Sequence, residues 1–386
     1  VNEELMKNLV NDLDKSLRDA GISDMSIGKY VKKYVKKFYY RLNVLDPIFE
    51  NDNDDECHYV GKGILSKIVA FGGKLYANIA GEAEGGSNLI TKSAIGIEIR
   101  GASSQNFPKK NYSLETRNED GSNNNVSIFG MPSENDWVLH GPFSDKTLLR
   151  NVLAYHMGES TERYTPRTQI CELLINGDYR GVYMFTEKLK RDKNRVDIAK
   201  LSSNDITGEE LTGGYLFQID RDDESTLLDG WWTNSSPRKF VAYHDPSYEE
   251  LADVQRQYLK DYFTSFENAM DGSQYMTDYN NFIDESSWVD YFLVTEVTKH
   301  IDAYKLSFYM HKKKSSNGGK IHFGPLWDFN LGFGNFDFVC SPNPQGWSFE
   351  FQGTCDYYHP FWVKKLTNIP DAVSYTHLTL PTTPYV

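Results

Sequence analysis

Hydrophobic residues recur every three to four positions over residues 3–20, through Leu5, Leu9, Leu13 and Leu17. They do so again over 27–41, where Ile27, Tyr30, Tyr34 and Phe38 share a face and lysines surround it. This period predicts two amphipathic helices. From about Tyr59 the texture changes to short alternating segments broken by glycines, which predict strands over 64–69, 74–79, 94–100 and 112–116. Ser144 and Asp145 precede a dozen-residue helical pattern over 146–157, and either can cap it. Residues 169–175 and 181–187 flank Asn176-Gly177-Asp178, a turn signal that predicts a hairpin, and 213–220 adds one more strand. Helical spacing returns over 248–269 and 284–300, followed by strand-like runs at 306–312 and 320–323. Strands come first, with one helix among them, and helices follow. That order predicts an α+β fold with a sheet-rich first half and a helical second half.

The densest apolar stretch is KIHFGPLWDFNLGFGN, residues 320–335. Phe323, Leu326, Trp327, Phe329, Leu331, Phe333 and Phe336 can all be buried, which places Asp328 at the rim of a core. A carboxylate there needs a partner or a metal, because an unpaired buried charge is costly. Gly332 and Gly334 loosen the exit from the motif. A second aspartate, Asp302, stands upstream in KHIDAYKLSFYMH. The two strand-like runs between them would form a hairpin that returns both aspartates to the same end. Singly, each reads as a helix cap or an ion pair. Together they suit phosphoryl transfer, which needs one carboxylate to orient the acceptor hydroxyl and another to hold magnesium.

Composition narrows the classes. The net charge of −13 excludes a nucleic-acid backbone as the expected partner, since there is no excess of cations to displace its counterions. No window reaches the eighteen apolar residues of a membrane span. No signal peptide is visible in a chain that starts at Val1, so an N-terminal truncation is expected. Cys57, Cys171, Cys340 and Cys355 form no close pair of the zinc-site kind. Cys340 and Cys355 flank a Pro/Gly-rich loop, as a disulfide or as two free thiols. The acidic run over 50–56 reads as a boundary, without the ligand spacing of a calcium loop.

Two further segments offer nucleotide contacts. In IEIRGASSQNFPKKNYSLE a strand ends at Arg100, small residues turn the chain (Gly101, Ser103 and Ser104 among them), and Lys109 and Lys110 enter the next strand. Exposed N–H groups followed by a lysine suit phosphates, although the same letters describe any tight hairpin. In LLINGDYRGVYMFTEKLKRDKNRVDI the second strand ends at Glu187, which can line a base or sit in a surface salt bridge.

These pieces resemble the spore-coat CotH kinase family, an atypical branch of the protein-kinase-like fold. The matching segments are RGASSQNFPKKNYSLE, FSDKTLLRN, YTPRTQICELLINGDYRGVYMFTEKL, GGYLFQIDR, KHIDAYKLSFYMHKKK and GPLWDFNLGFGN, in the family's order. The resemblance implies a two-lobed kinase-like fold that uses ATP and Mg2+ and phosphorylates Ser or Thr of an extracellular, cell-surface or spore-surface protein. It implies Asp302 at the catalytic-loop position and Asp328 at the magnesium-holding position. It further implies Arg100, Gly101, Ser103 and Ser104 over the phosphates, Lys110 or Lys109 on them, Glu187 near the adenine-binding hinge, and helix 146–157 bracing the site from the N-lobe. One position departs from the kinase pattern. The Asn expected five residues after the catalytic Asp, which helps hold a second metal, is Ser307 here. A nucleotide-binding pseudokinase, a surface adhesin, or nucleotidyl transfer from ATP are the alternatives this leaves.

The resulting division is a helical segment and linker over 1–58, a kinase-like domain over 59–372 with lobes meeting near residue 220, and a tail over 373–386. The tail begins VSYTHL, which one reading frame of a sequencing-adapter end would encode. We expect residues from Val373 onward to be library read-through. Resequencing the locus should return a different sequence after position 372, and a genomic read containing this tail would overturn that expectation.

Overall fold

The computed structural model describes residues 66–71, 74–78, 93–176, 178–222, 229–336, 347–351 and 359–369. The two expected N-terminal helices, the acidic run, Cys57, Cys340, Cys355 and the tail lie outside these residues. The chain is α+β and folds into two compact units. The first takes in the described residues up to Leu149 together with Arg167–Lys188. The second takes in Arg150–Pro166 and the described residues from Leu189 onward.

The first unit is a closed barrel with strand order β1-β2-β3-β4-β5-β7-β6. Its strands are β1 (Ser66–Phe71), β2 (Lys74–Asn78), β3 (Ser93–Arg100), β4 (Asn111–Arg117), β5 (Asp136–His140), β6 (Thr168–Ile175) and β7 (Asp178–Glu187). Neighbours are antiparallel except β1 and β6. The period-two pattern explains the closure, because alternate residues of each strand point into the barrel. Leu114, Trp137, Leu139, Cys171, Leu173, Tyr183 and Phe185 fill it. Ile97 and Ile99 pair with Leu114 and Tyr112, so they also face inward. Yet they are 36% and 50% exposed, so the barrel interior opens at the end where β3 runs out.

The helix expected over 146–157 begins later, as α1 (Arg150–Glu159). Asp145 does not cap it. Its Oδ1 instead accepts from the amide and hydroxyl of Thr147, at 3.0 and 2.7 Å, and Leu148 adopts a left-handed φ of 63° that delays the helix. This helix belongs with the second unit, not the first.

The second unit is built on a five-stranded antiparallel sheet in the order β12-β11-β8-β10-β9. These strands are β8 (Tyr215–Asp220), β9 (Gly230–Trp232), β10 (Phe240–Asp245), β11 (Phe308–Lys312) and β12 (Ile321–Phe323). The second half is therefore not simply helical. β8, expected as the last strand of the first lobe, sits between β11 and β10. The short β9 and β10, like β5 in the barrel, were not foreseen.

Among the helices of this unit, α2 (Gly208–Leu211) and α4 (Tyr275–Asp278) are single turns, and α6 (Phe361–Leu366) follows the sheet in sequence. The long α3 (Asp253–Asp271) buries Leu259, Phe263, Phe266 and Met270 at helical spacing. By contrast, α5 (Glu285–Thr298) is buried nearly all round, from Ser287 to Thr298. Trp288 meets Phe323 and Trp362 edge-on, with ring centroids 5.1 and 6.2 Å apart. An aromatic layer thus fixes α5 against the β11–β12 hairpin.

Trp137 is fully buried and stacks on Phe185 in the barrel core. Trp137→Ala is expected to lower stability by about 3–5 kcal/mol through lost transfer energy and the cavity left behind. Denaturant titration checks this.

Candidate active site

Where α5 ends, Lys299 takes a left-handed C-cap with φ 49°. The chain then runs through His300, Ile301 and Asp302 into a turn closed by the amides of Lys305 and Leu306, which donate to the Asp302 carbonyl at 3.2 and 3.0 Å. Tyr304 and Ser307 are left-handed too, with φ 64° and 48°, before β11 begins at Phe308. On the far side of the hairpin, β12 gives way to Asp328, φ 63°, and Phe333, φ 55°. Nine non-glycine residues have positive φ among the described residues, and five of them lie in these two short segments. Such conformations cost on the order of 1–3 kcal/mol each and persist only where surrounding packing dictates them.

That packing is visible. Met310 pairs with Phe323 and Lys312 with Ile321, so the start of β11 and the end of β12 lie at one end of the hairpin. His300 stacks on Phe329, with centroids 4.4 Å apart and planes 28° apart. The Phe333 amide donates to the Thr298 carbonyl. The segments carrying Asp302 and Asp328 are therefore tied side by side. From α1, the Tyr155 hydroxyl accepts the amide of Asp328 at 3.2 Å while the ring stacks on Trp327. Tyr304 is fully buried, and its hydroxyl donates to Glu296 at 2.9 Å.

Electrostatics single out Asp302. Burial pushes its pKa above the ordinary carboxylate range, opposed by the cations Lys305 and Arg221. Lys305 Nζ stands 3.9 Å from its Oδ1, a long ion pair. Burial likewise raises Asp220, which accepts from the amides of Arg221 and Ser307 and feels the charge of Asp302. Burial holds His300 neutral, with its pKa pushed down to about 3. Asp328 is exposed on its turn.

Among the described residues, no group of three or more His, Cys, Asp or Glu side chains converges on a metal-sized site. Magnesium commonly uses only one or two protein carboxylates, with water and phosphate oxygens completing the shell. Asp302, desolvated, and Asp328, exposed, are hard oxygen donors on adjacent segments, which fits that chemistry. Ser307 stands five residues past Asp302, but what the structure assigns to it is a backbone role: its amide donates to Asp220.

In the first unit, Arg100 ends β3 and Gly101 turns the chain with φ 107°. A Cβ at Gly101 would lie 2.1 Å from Ser104 Oγ, so the tight turn favours glycine there. Ser103 and Ser104 open a single 3-10 turn, Ser103–Asn106, and Asn111 Nδ2 donates to Ser104 Oγ at 3.2 Å. The two lysines part company. Lys110 Nζ bends back onto this turn, donating to the Gln105 carbonyl at 2.7 Å. Lys109 Nζ instead donates to the Arg180 carbonyl and lies 4.3 Å above the Tyr183 ring, where burial lowers its pKa to about 8. Glu187 lies four residues past Tyr183 on β7, paired with Trp137. It is wholly buried and accepts from the Arg167 amide and guanidinium at 3.0 and 2.8 Å. The chain passes to the second unit one residue later, after Lys188.

Four contributors escaped the sequence reading: His300, Tyr155, Glu296 and Asp220. Only His300 left a local signal, an imidazole two residues before Asp302 in an apolar run. Tyr155 and Asp220 act from distant elements, and Glu296 acts from α5 through Tyr304, eight residues on.

Glu296 supplies a pH test. Burial raises its pKa to about 7, although its carboxylate accepts from Tyr304 and from the amides of Ser348 and Phe349. The folded state thus holds this proton more tightly than the unfolded chain. The contribution is full below the ordinary glutamate range and is lost as pH rises through about 7. Glu296→Gln is expected to flatten the fall in stability between mildly acidic and mildly alkaline pH, measured by denaturation across that range.

A family model described as CotH kinase protein matches residues 97–375, well over half of the chain. A second, described as ubiquinol-cytochrome C chaperone, matches residues 1–56, outside the described residues, and supports no reading of the site. No curated protein matches the chain significantly. The 97–375 match takes in the barrel strands from the second half of β3 onward, the second sheet and both aspartate segments, and on that span the chain belongs to the CotH kinase protein family.

Proposed function

We propose that this protein transfers the γ-phosphoryl group of ATP, with magnesium, to a serine or threonine of a protein at the cell or spore surface, through a two-lobed kinase-like arrangement. The observation that carries the reading is the His300–Phe329 stack, which joins the Asp302 and Asp328 segments at one end of the β11–β12 hairpin. Family membership supports the reaction class. Among the described residues no helix is long and apolar enough to cross a membrane.

In this reading a carboxylate oxygen of Asp302 orients the acceptor hydroxyl and takes its proton as the oxygen–phosphorus bond forms and the bond to the β–γ bridging oxygen breaks. Asp328 holds the metal, which supplies charge neutralisation at the phosphates when bound. By the family resemblance, Lys110 and the amides of the Gly101–Ser104 turn are the candidates for contacting the phosphates. Lys109 is the weaker candidate, because its ammonium is committed to Arg180 and Tyr183. Ser307 offers a neutral oxygen for a second metal at most. Glu187 acts through Arg167 in shaping the segment before the chain leaves the barrel.

Incubation with ATP labelled at the γ position should label a co-purified or peptide acceptor in a magnesium-dependent way. Asp302→Ala and Asp328→Ala should each lower the rate by about a thousandfold or more, as expected for groups that act on the transferring phosphoryl. Transfer from α-labelled ATP would replace this reading with nucleotidylation. A binding module predicts no magnesium-dependent shift in melting temperature with ATP, and a pseudokinase predicts the shift without transfer. The pH profile offers a second check. Asp302 must be ionised to act, and Lys305 favours that form. Lys305→Met is therefore expected to move the acidic limb of the rate profile to higher pH.

A further inference from the structure

Asp220 ends β8, and the register of the second sheet fixes what it faces. Ile219 pairs with Phe308 of β11, so Asp220 stands beside Ser307, the residue just before that ladder begins. Its Oδ2 accepts the Ser307 amide at 3.3 Å, and its Oδ1 accepts the amide of Arg221 at 2.9 Å. The Ser307 amide is thus held by a side chain from another strand. A carboxylate acceptor makes a stronger bond than a neutral one, and it suits a residue whose left-handed backbone needs support.

The turn upstream transmits this contact. The Lys305 and Leu306 amides both bond the Asp302 carbonyl, so residues 302–306 form one closed unit whose exit is Ser307. Its entrance is held by His300 on Phe329, and its middle by Tyr304 on Glu296. Asp220 supplies the third tie.

We propose that Asp220 is a positioning residue: through the Ser307 amide its carboxylate fixes the exit of the Asp302 turn, and so sets where the Asp302 carboxylate points. This deepens the phosphoryl-transfer reading and rests on it. A second carboxylate near Asp302 is electrostatically unfavourable, so charge alone does not explain its placement. The hydrogen bond does. Asparagine keeps one acceptor oxygen for the Ser307 amide, without the charge, and gives up the second bond, to the Arg221 amide. Alanine removes it, and glutamate keeps the charge but displaces the oxygen by a methylene.

The test compares Asp220→Ala, Asp220→Asn and Asp220→Glu by steady-state transfer and by amide hydrogen exchange over residues 302–308. Asp220→Ala should lower kcat by about 10- to 100-fold, the cost of a misplaced catalytic group, with KM for ATP changed by no more than about twofold. Asp220→Asn should recover kcat to within about threefold of the parent, because the hydrogen bond is retained. Exchange over 302–308 should quicken in the alanine variant and stay protected in the asparagine variant. Parental kcat and protection in Asp220→Ala, or equal losses in the alanine and asparagine variants, would overturn the proposal. Should Asp220→Ala fail to fold, the remaining pair decides: asparagine near the parent with glutamate reduced supports positioning, and the reverse shows that charge is what matters. If the parent protein transfers nothing, the phosphoryl-transfer reading fails. The exchange data then still decide whether Asp220 holds the turn, and unchanged protection rejects it.

Discussion

The stack of His300 on Phe329 joins two stretches of chain that the sequence separates by more than two dozen residues. One leaves α5 and carries Asp302. The other leaves β12 and carries Asp328. The first has no helix or strand of its own, the second only a single 3-10 turn over Phe329–Leu331, and both contain residues in left-handed backbone conformations. Burial supplies what the backbone lacks. With its pKa driven down to about 3, His300 stays a neutral ring and packs as an aromatic. An imidazolium in the same place would carry a desolvation cost and repulsion from Lys305. The contact is therefore insensitive to pH over the ordinary range, which suits a fixed scaffold for two carboxylates.

Around this contact the second unit is an aromatic solid. Trp288, Phe308, Phe323 and Trp362 meet one another across α5, the hairpin and α6. Tyr304 inserts from the Asp302 turn into the same layer against Trp288 and Phe308, and its hydroxyl is satisfied by Glu296. A buried tyrosine needs such a partner for its polar end. The arrangement makes the turn part of the core rather than a surface loop. Strain at Tyr304 and Ser307 is tolerated because moving either would disrupt several ring contacts or the bond to Asp220.

The barrel obeys a different constraint. Alternate side chains of each strand point inward, and the interior is filled by Trp137, Phe185 and their neighbours, except where β3 ends with Ile97 and Ile99 exposed on the inner face. The Gly101 turn and the two lysines follow directly from that end in sequence. Lys109 and Lys110 are adjacent in sequence and opposite in environment: one is desolvated over Tyr183, the other is turned back onto the 3-10 turn.

The sequence by itself determined the α+β class, the strands from β3 to β4, the hairpin around Asn176, the helices α3 and α5, and the paired runs that became β11 and β12. These are local: periodicity and turn chemistry act within a few residues, and they survive into the fold with shifts of a few positions. It also singled out Asp302 and Asp328, because isolated carboxylates in apolar aromatic surroundings are conspicuous without any coordinates. Only the tertiary structure decided the rest. It moved β8 into the second sheet, because ladder partners are chosen by register across distant segments. It started α1 at Arg150, because Asp145 spent its carboxylate on Thr147. It committed Glu187 to Arg167 and Lys109 to Tyr183, giving charged groups partners that spacing could not name. Above all it brought Tyr155, Glu296, His300 and Asp220 around the two aspartate segments. Tyr155, His300 and Asp220 act through contacts made at long sequence separation, and no local pattern encodes where such a contact will close.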